Sequence, residues 1–246
     1  MKIFPYFCGQ TSNQYFYKME QHHKFLKPAQ FAEKEIIKSI LEGKFQAGQT
    51  LMPERELASL LGITRPTLRE ALQRLSRDGW ITIKHGRPTL VNDFQNDGGL
   101  GVLKSLTDFG ELASQKLVND WLEFRILIFP HLAQKAIDSN SNEILMFLNE
   151  LPKENAENQE FALFDWNLQL LLIKYSGNSI AKMLYNDLTI IYLKQAEVYF
   201  SSEDSKQMSI NFYSNIKNCI KTNTSSAFEI VKNAMLESAK KWKVSL

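Results

Sequence analysis

The sequence predicts a mainly α protein, with an N-terminal winged helix-turn-helix domain and a C-terminal all-α helical bundle. Glycine and proline are frequent up to residue 92 and rare from residue 100 onward, where only five occur in 147 residues. Six of the seven arginines lie between residues 55 and 87. Such a cluster is typical of a surface that binds nucleic acid phosphates, although a solvated charged face has the same composition.

Length, charge and cysteine content narrow the class of protein. The 246 residues, 44% of them hydrophobic, suit one large domain or two smaller ones. Residues 24–93 carry 12 Lys and Arg against 8 Asp and Glu, whereas residues 94–246 carry 15 against 18. No run approaches the ~18 consecutive apolar residues of a membrane-spanning helix. Two cysteines are too few for the disulfide framework of a small secreted protein. We therefore expect a cytoplasmic protein with no membrane partner.

The chain is expected to have four parts. Residues 1–23 show no periodicity and are predicted to be a disordered extension, with Met19 as an alternative start. Residues 24–93 form the winged helix domain and residues 94–111, which include a Gly-Gly pair, form a linker. Residues 112–246 form a second, helical domain, to which the resemblance described below gives the role of an effector domain.

Glycine and proline residues divide the first domain into short helices and strands. Gly43 ends the first helix, Thr64 is a good N-cap for the third, and Pro66 fits in that helix's first turn. The helices are predicted near 31–41, 53–61 and 65–77, and two short strands at 80–84 and 89–91.

The second and third helices have the spacing of a helix-turn-helix. Ala58 lies where the two helices cross, and Gly62 supplies the left-handed conformation of the turn. The first turns of the third helix would then face a major groove. Arg65 and Arg69 share one face there, from which a guanidinium can bind guanine in bidentate fashion. The hairpin that follows adds a wing, with His85 and Gly86 at its tip.

Apolar residues recur at intervals of three and four throughout the second domain. Leu117, Trp121 and Phe124 give one such stripe. We expect a bend at Pro130. The helices are predicted near 112–137, 141–151, 157–176, 178–200, 204–221 and 224–243.

The run from residue 52 to residue 89 resembles the winged-helix domain of the GntR family of bacterial transcription regulators. The stretches Arg-Asp-Gly-Trp (77–80) and Lys-His-Gly-Arg-Pro-Thr (84–89) resemble in particular its FadR group, which regulates fatty acid metabolism. The resemblance implies a homodimer that binds a double-stranded DNA operator. Pro66 stands where this group has a hydroxyl residue, so any contact from that side chain is lost. The DNA contacts carried over by position are Arg55, Thr64, Arg65, Thr67, Arg69, His85 and Gly86.

The second domain resembles the FadR effector domain more weakly, at the pairs 177–178, 199–200, 212–213 and 237–238 and at Trp242. This resemblance implies a long-chain fatty acyl-CoA effector, although an aromatic stripe at helical spacing is also typical of a core. Met235 replaces a glycine of the group, and its bulk is expected to narrow the pocket. Lysines 240, 241 and 243 would partner the CoA phosphates or form an ordinary basic helix end. The effector-binding residues carried over are Arg125, Tyr192, Tyr213, Glu237, Ser238 and Trp242.

Catalysis and metal binding have little support in the sequence. His131 is the only histidine beyond residue 85, so a three-histidine metal site is impossible, and Glu123 and Asp165 are the remaining candidate ligands. We expect no catalytic residue, no metal and no cofactor.

The function expected is repression of fatty acid degradation genes, and possible activation of unsaturated fatty acid synthesis genes, with DNA release by long-chain acyl-CoA. The alternatives are a GntR-type regulator that responds to a different metabolite and, more remotely, an acyl-CoA-utilising enzyme with an appended DNA-binding domain.

Overall fold

The computed structural model describes residues 26–109 and 112–245. The predicted disordered extension, residues 1–23, and the alternative start at Met19 lie outside the described residues. The chain divides into two compact units, Met1–Leu112 and Ala113–Leu246. The predicted fold class is confirmed, because the first unit is a winged helix and the second is all helical among its described residues.

Three helices and a two-stranded sheet form the centre of the first unit. Pro28 begins the first helix, and the hydroxyl of Thr64 caps the third by accepting a hydrogen bond from the backbone N–H of Thr67. Buried Ile36, Leu68 and Trp80 anchor its core. The elements are α1 (Pro28–Leu41), α2 (Glu54–Leu60), α3 (Arg65–Asp78), β1 (Ile81–Thr82) and β2 (Leu90–Val91).

The predicted helix-turn-helix is present. Ala58 on α2 and Leu68 on α3 are buried, which lets the two helices pack closely. Gly62 has φ +65°, the left-handed conformation that the tight turn requires. The two strands are antiparallel, and Ile81 pairs with Val91. Each strand is two residues long, which is shorter than the sequence predicts.

The segment predicted to be a linker is mainly helical and belongs to the first unit. It holds α4 (Phe94–Asp97) and α5 (Leu100–Asp108). Val102 is buried in the core of this unit, and the Phe94 ring lies 5.0 Å from the ring of Trp80. Gly101 brings α5 against α3, since a Cβ there would lie 2.6 Å from the carbonyl oxygen of Asp78. The Gly98-Gly99 pair is therefore followed by a docked helix.

The second unit is a bundle whose first helix joins two predicted helices. Non-helical dihedral angles occur in that helix at Asn140 (φ −145°, ψ 45°), close to the predicted boundary. Pro130, where a bend is predicted, lies inside the helix, and the non-helical dihedral angles occur ten residues later. The helices are α6 (Gln115–Phe147), α7 (Asn158–Tyr175), α8 (Ser179–Tyr199), α9 (Glu203–Thr222) and α10 (Ala227–Ser245), with a 3₁₀ turn at Thr224–Ser226.

Aromatic side chains fill the interior of the bundle. Trp166 stacks on Tyr192 at 4.2 Å between ring centroids, and its indole N–H donates to the hydroxyl of Thr189. Helix α10 packs against both α6 and α9. Within the described ranges, none of the helices is both long enough and apolar enough to span a membrane. The packing leaves polar side chains from several helices facing one cavity.

Candidate nucleic-acid interface and effector cavity

The first turns of α3 present the residues predicted to contact DNA. The hydroxyl oxygens of Thr64 and Thr67 lie 2.8 Å apart at the start of the helix. Arg65 and Arg69 follow one turn apart, with both side chains more than half exposed. A helix that exposes basic side chains at its N-terminal end can enter a major groove and bind base edges.

One carboxylate lies beside both arginines. The Nε of Arg69 donates to Oε2 of Glu54 on α2 at 2.8 Å, and a terminal nitrogen of Arg65 lies 3.9 Å from the same oxygen. Glu54 was not predicted from the sequence, because the pair joins positions fifteen residues apart in different helices. The exposed face of the helix-turn-helix therefore carries one negative charge between two positive charges.

Two other arginines of the cluster make ion pairs further along α3. Arg74 binds Glu70 at 2.6 Å and lies 3.8 Å from the buried Glu33 of α1. Arg77 binds the neighbouring Asp78 at 2.9 Å. Of these pairs, only the contact of Arg74 with Glu33 joins α3 to another helix, and both arginines lie beyond the N-terminal turns of α3 that would enter a major groove.

The wing presents its tip to solvent. Residues 83–88 are all exposed between the two strands. Gly86 has φ +70°, which only glycine adopts readily, and the absence of a side chain permits close approach of a DNA backbone. Of the seven predicted DNA contacts, six are exposed and Thr67 is half-buried.

A cavity of about 280 Å³ lies inside the second unit. All five helices of the bundle contribute to its wall. Of the six predicted effector residues, Tyr213 is absent from the lining, and its hydroxyl instead donates at 2.7 Å to Asp165, which does line the cavity. The five that line it are Arg125, Tyr192, Glu237, Ser238 and Trp242.

Arg125 is a buried cation on the cavity wall. It is 2% exposed, and a terminal nitrogen donates to the hydroxyl of Ser238 at 2.7 Å. Its Nε has no hydrogen-bond partner among the described residues. Because an unsatisfied buried polar group is costly, this guanidinium is suited to bind an acceptor oxygen that a ligand brings.

Asp165 on α7 is the centre of a buried hydrogen-bond network. Its carboxylate accepts hydrogen bonds from the hydroxyls of Tyr192 and Tyr213 and, at 2.7 Å, from the side-chain amide of Gln169. Burial, and then the Asp165 charge, raise the pKa of both tyrosines well above its ordinary value. Both phenols therefore stay neutral and act as donors.

From the sequence, Asp165 was expected only as a remaining metal ligand candidate. A signal for its role was present, since it is the only charged residue between Glu160 and Lys174 in an apolar helix. No group of three or more His, Cys, Asp or Glu side chains in the described part of the chain is placed to hold a metal ion. His131 instead lies against the ring of Phe228, with 4.7 Å between centroids.

Helix α10 supplies several side chains of the cavity wall. Met235 is buried and lines the cavity, and Trp242 stacks on Tyr199 at 5.3 Å. Of the three basic residues predicted to face CoA phosphates, Lys240 is exposed and Lys241 binds Asp204 at 3.0 Å. The side chain of Lys243 lies outside the described residues.

Comparison with known families decides the assignment. The model described as "Bacterial regulatory proteins, gntR family" matches residues 28–91, and the model described as "FadR C-terminal domain" matches residues 92–245. The chain belongs to the GntR family. Its second domain is a FadR C-terminal domain, and its relatives and domains are those of transcription regulators rather than enzymes.

Curated relatives agree with this membership. The chain is 39% identical over 190 residues to the fatty acid metabolism regulator protein of Shewanella pealeana, covering 77% of this chain and 80% of that protein. It is 35% identical over 216 residues to the protein of the same name from Shewanella denitrificans, covering 87% and 90%.

A solved structure shares the fold. It is described as Lar, which controls the expression of the Listeria monocytogenes agr system and mediates virulence. At 15% identity it superposes with a TM-score of 0.59, covering 89% of this chain and 98% of that one. This likeness supports the fold alone.

Proposed function

We propose that the protein is a cytoplasmic, homodimeric transcription factor that controls fatty acid metabolism genes. It represses fatty acid degradation genes, activates unsaturated fatty acid synthesis genes, and leaves its DNA operator when it binds long-chain fatty acyl-CoA. The observation that carries the proposal is the cavity in the FadR-type domain, where Arg125 and Ser238 meet beside an aromatic wall. No metal and no cofactor takes part.

The two ends of an acyl thioester suit different parts of this cavity. Tyr199 and Trp242 offer apolar rings on which methylene groups can pack. The Nε of Arg125, which has no hydrogen-bond partner among the described residues, is a donor suited to the thioester carbonyl or to a phosphate oxygen. Burial of methylenes contributes ~0.8 kcal/mol each, so affinity should rise with chain length until the cavity is full.

Release of DNA requires that the ligand distinguish two states of the protein. A ligand that binds the DNA-competent and DNA-incompetent states equally shifts nothing. Helix α10 is the element through which such a preference can arise, because Met235, Ser238 and Trp242 all line the cavity from it. We propose that acyl-CoA entry displaces α10, and that this favours the DNA-incompetent state.

A titration tests the proposal. The DNA probe is a fluorescent duplex that the protein selects from a randomised pool, and the titrants are C8, C16 and C18:1 acyl-CoA, with free CoA as the control. We expect release by the C16 and C18:1 compounds at low concentration and no release by free CoA. If no acyl-CoA releases the duplex, the acyl-CoA part of the proposal is wrong and a DNA-binding regulator remains.

A second candidate is a GntR-type regulator that responds to a smaller, more polar metabolite. The volume of about 280 Å³ is small for a long acyl group, and three asparagines at positions 211, 215 and 233 line the cavity. Release of the selected duplex by a short polar metabolite, with none by C16 acyl-CoA, would favour this candidate.

A further inference from the structure

The ion pair between Glu54 and the arginines of α3 lies on the surface that is predicted to face DNA. Glu54 is the first residue of α2, and its side chain is 35% exposed. Its Oε2 accepts from Arg69 at 2.8 Å and lies 3.9 Å from Arg65. The arginines themselves are 62% and 58% exposed, so the three groups face solvent together.

We propose that Glu54 is a positioning residue for base recognition, which orients Arg69 and weakens binding to DNA of the wrong sequence. The proposal rests on the DNA-binding role of α3 given above. It adds a specificity determinant that does not itself need to touch a base.

The geometry of the contact supports the orienting role. The carboxylate binds Arg69 through Nε, which leaves the two terminal nitrogens of the guanidinium available to another partner. Those two nitrogens form the fork that binds O6 and N7 of a guanine. A carboxylate at Nε therefore fixes the plane of the group without occupying its recognition edge.

Stability gives no comparable reason for the pair. Exposed ion pairs contribute little to folding free energy, because water screens both charges. A charge between two base-reading arginines, in contrast, acts directly on DNA binding. It offsets part of their attraction for phosphates, which is the sequence-independent part of affinity. With Glu54 present, each arginine gains less from a phosphate and depends more on a correctly placed base.

The test compares Glu54→Gln with the matched control Glu56→Gln, an exposed carboxylate two residues further along α2. The probes are the duplex that the parent protein selects from a randomised pool and a scrambled duplex of the same composition. Affinity for both is measured over a range of KCl concentrations. A merely structural role for Glu54 would change thermal unfolding but not the salt dependence.

For Glu54→Gln we expect tighter binding to the scrambled duplex and about tenfold lower selectivity, the size of one lost base contact. The plot of log affinity against log salt should steepen by about 0.9 for each additional phosphate that the freed arginines neutralise. Glu56→Gln should match the parent in both. In an Arg69→Ala background, Glu54→Gln should change selectivity much less, because Glu54 acts mainly through that arginine.

Two results would overturn the proposal. Unchanged selectivity and salt slope in Glu54→Gln would show that the ion pair is incidental, and equal shifts in Glu54→Gln and Glu56→Gln would show a general charge effect. A parent protein that selects no sequence at all would instead refute sequence-specific DNA binding itself.

Discussion

Arg65 and Arg69 lie one helical turn apart on the exposed face of α3, and in the proposed function they read neighbouring bases. Alanine at either position should lower the preference for the selected duplex over a scrambled one by about 1–3 kcal/mol, or roughly 5- to 150-fold. Competition binding measures this ratio. Arg77→Ala is the control, since that side chain pairs with Asp78 at the other end of the helix. Equal losses in all three variants would contradict this docking mode.

Glu33 gives the winged helix a pH-dependent stability. Burial raises its pKa above the ordinary value, and the nearby Arg74 only partly opposes this. Because the folded state favours the protonated form, the contribution of Glu33 is fully present below pH 4.5 and is lost as pH rises through its raised pKa. Glu33→Gln should therefore gain stability relative to the parent as the pH rises from about 4 to about 8. Urea unfolding at several pH values measures this, with Glu56→Gln as the flat control.

The residues that sequence patterns revealed and those that they missed differ in one physical respect. Arg65 and Arg69 are four positions apart on one helix, so spacing alone places them on one face. Glu54 meets Arg69 across fifteen positions, and Asp165 meets Tyr213 across forty-eight, so tertiary packing alone brings them together. The family resemblance placed Arg125 and Ser238, but their 2.7 Å hydrogen bond follows only from the packing of α6 and α10.

The docking of α5 on α3 makes a prediction about one glycine. A Cβ at Gly101 would lie 2.6 Å from the carbonyl oxygen and 2.8 Å from the Cα of Asp78, and backbone atoms there have little freedom to move. Gly101→Ala should destabilise the protein by about 1–3 kcal/mol, as overpacking typically does. Gly99→Ala is the control, because a methyl group at that position would have no heavy atom within 4 Å. Chemical denaturation compares the two, and equal stabilities would contradict the packing of α5.

Helix boundaries were predictable where capping and breaker residues mark them, as at Gly43 and Thr64. Helices α4 and α5 were missed because they are short and lie on either side of the Gly98-Gly99 pair. Two adjacent glycines are typical of a linker, so the local sequence predicted one there. The helical state of this segment depends on tertiary burial of Val102 in the core of the first unit. Pro130 lies within α6, as predicted, so this proline does not end the helix.

Substitutions in helix α10 should change both the release of DNA by the effector and the acyl chain length that the cavity prefers. Trp242→Ala removes a ring that stacks on Tyr199, so it should blunt release of DNA by acyl-CoA and leave DNA affinity intact. Met235→Ala enlarges the cavity and should shift the preferred acyl chain to greater length. Release curves for C8 to C18:1 acyl-CoA measure both effects. Leu236→Ala, at a partly exposed position on the same helix, should change neither.

At the scale of the whole molecule, two kinds of site share one chain. The winged helix carries the exposed arginines and the bundle carries the cavity, and each belongs to its own compact unit. A ligand in the bundle can therefore act on DNA binding only by biasing states of the entire protein. The charges differ in the same way, since residues 24–93 have an excess of basic side chains and residues 94–246 have an excess of acidic ones.

The arrangement of the DNA site predicts the oligomeric state. One recognition helix with two base-reading arginines spans too few base pairs for high specificity, and dimers of such domains place two helices about one turn of DNA apart. We expect a two-fold symmetric homodimer with a footprint of matching dyad symmetry. Light scattering of the free protein and footprinting on the selected duplex test this together. A monomer in solution that protects a single asymmetric half-site would contradict it, and each of the arginine substitutions above should weaken both half-sites equally.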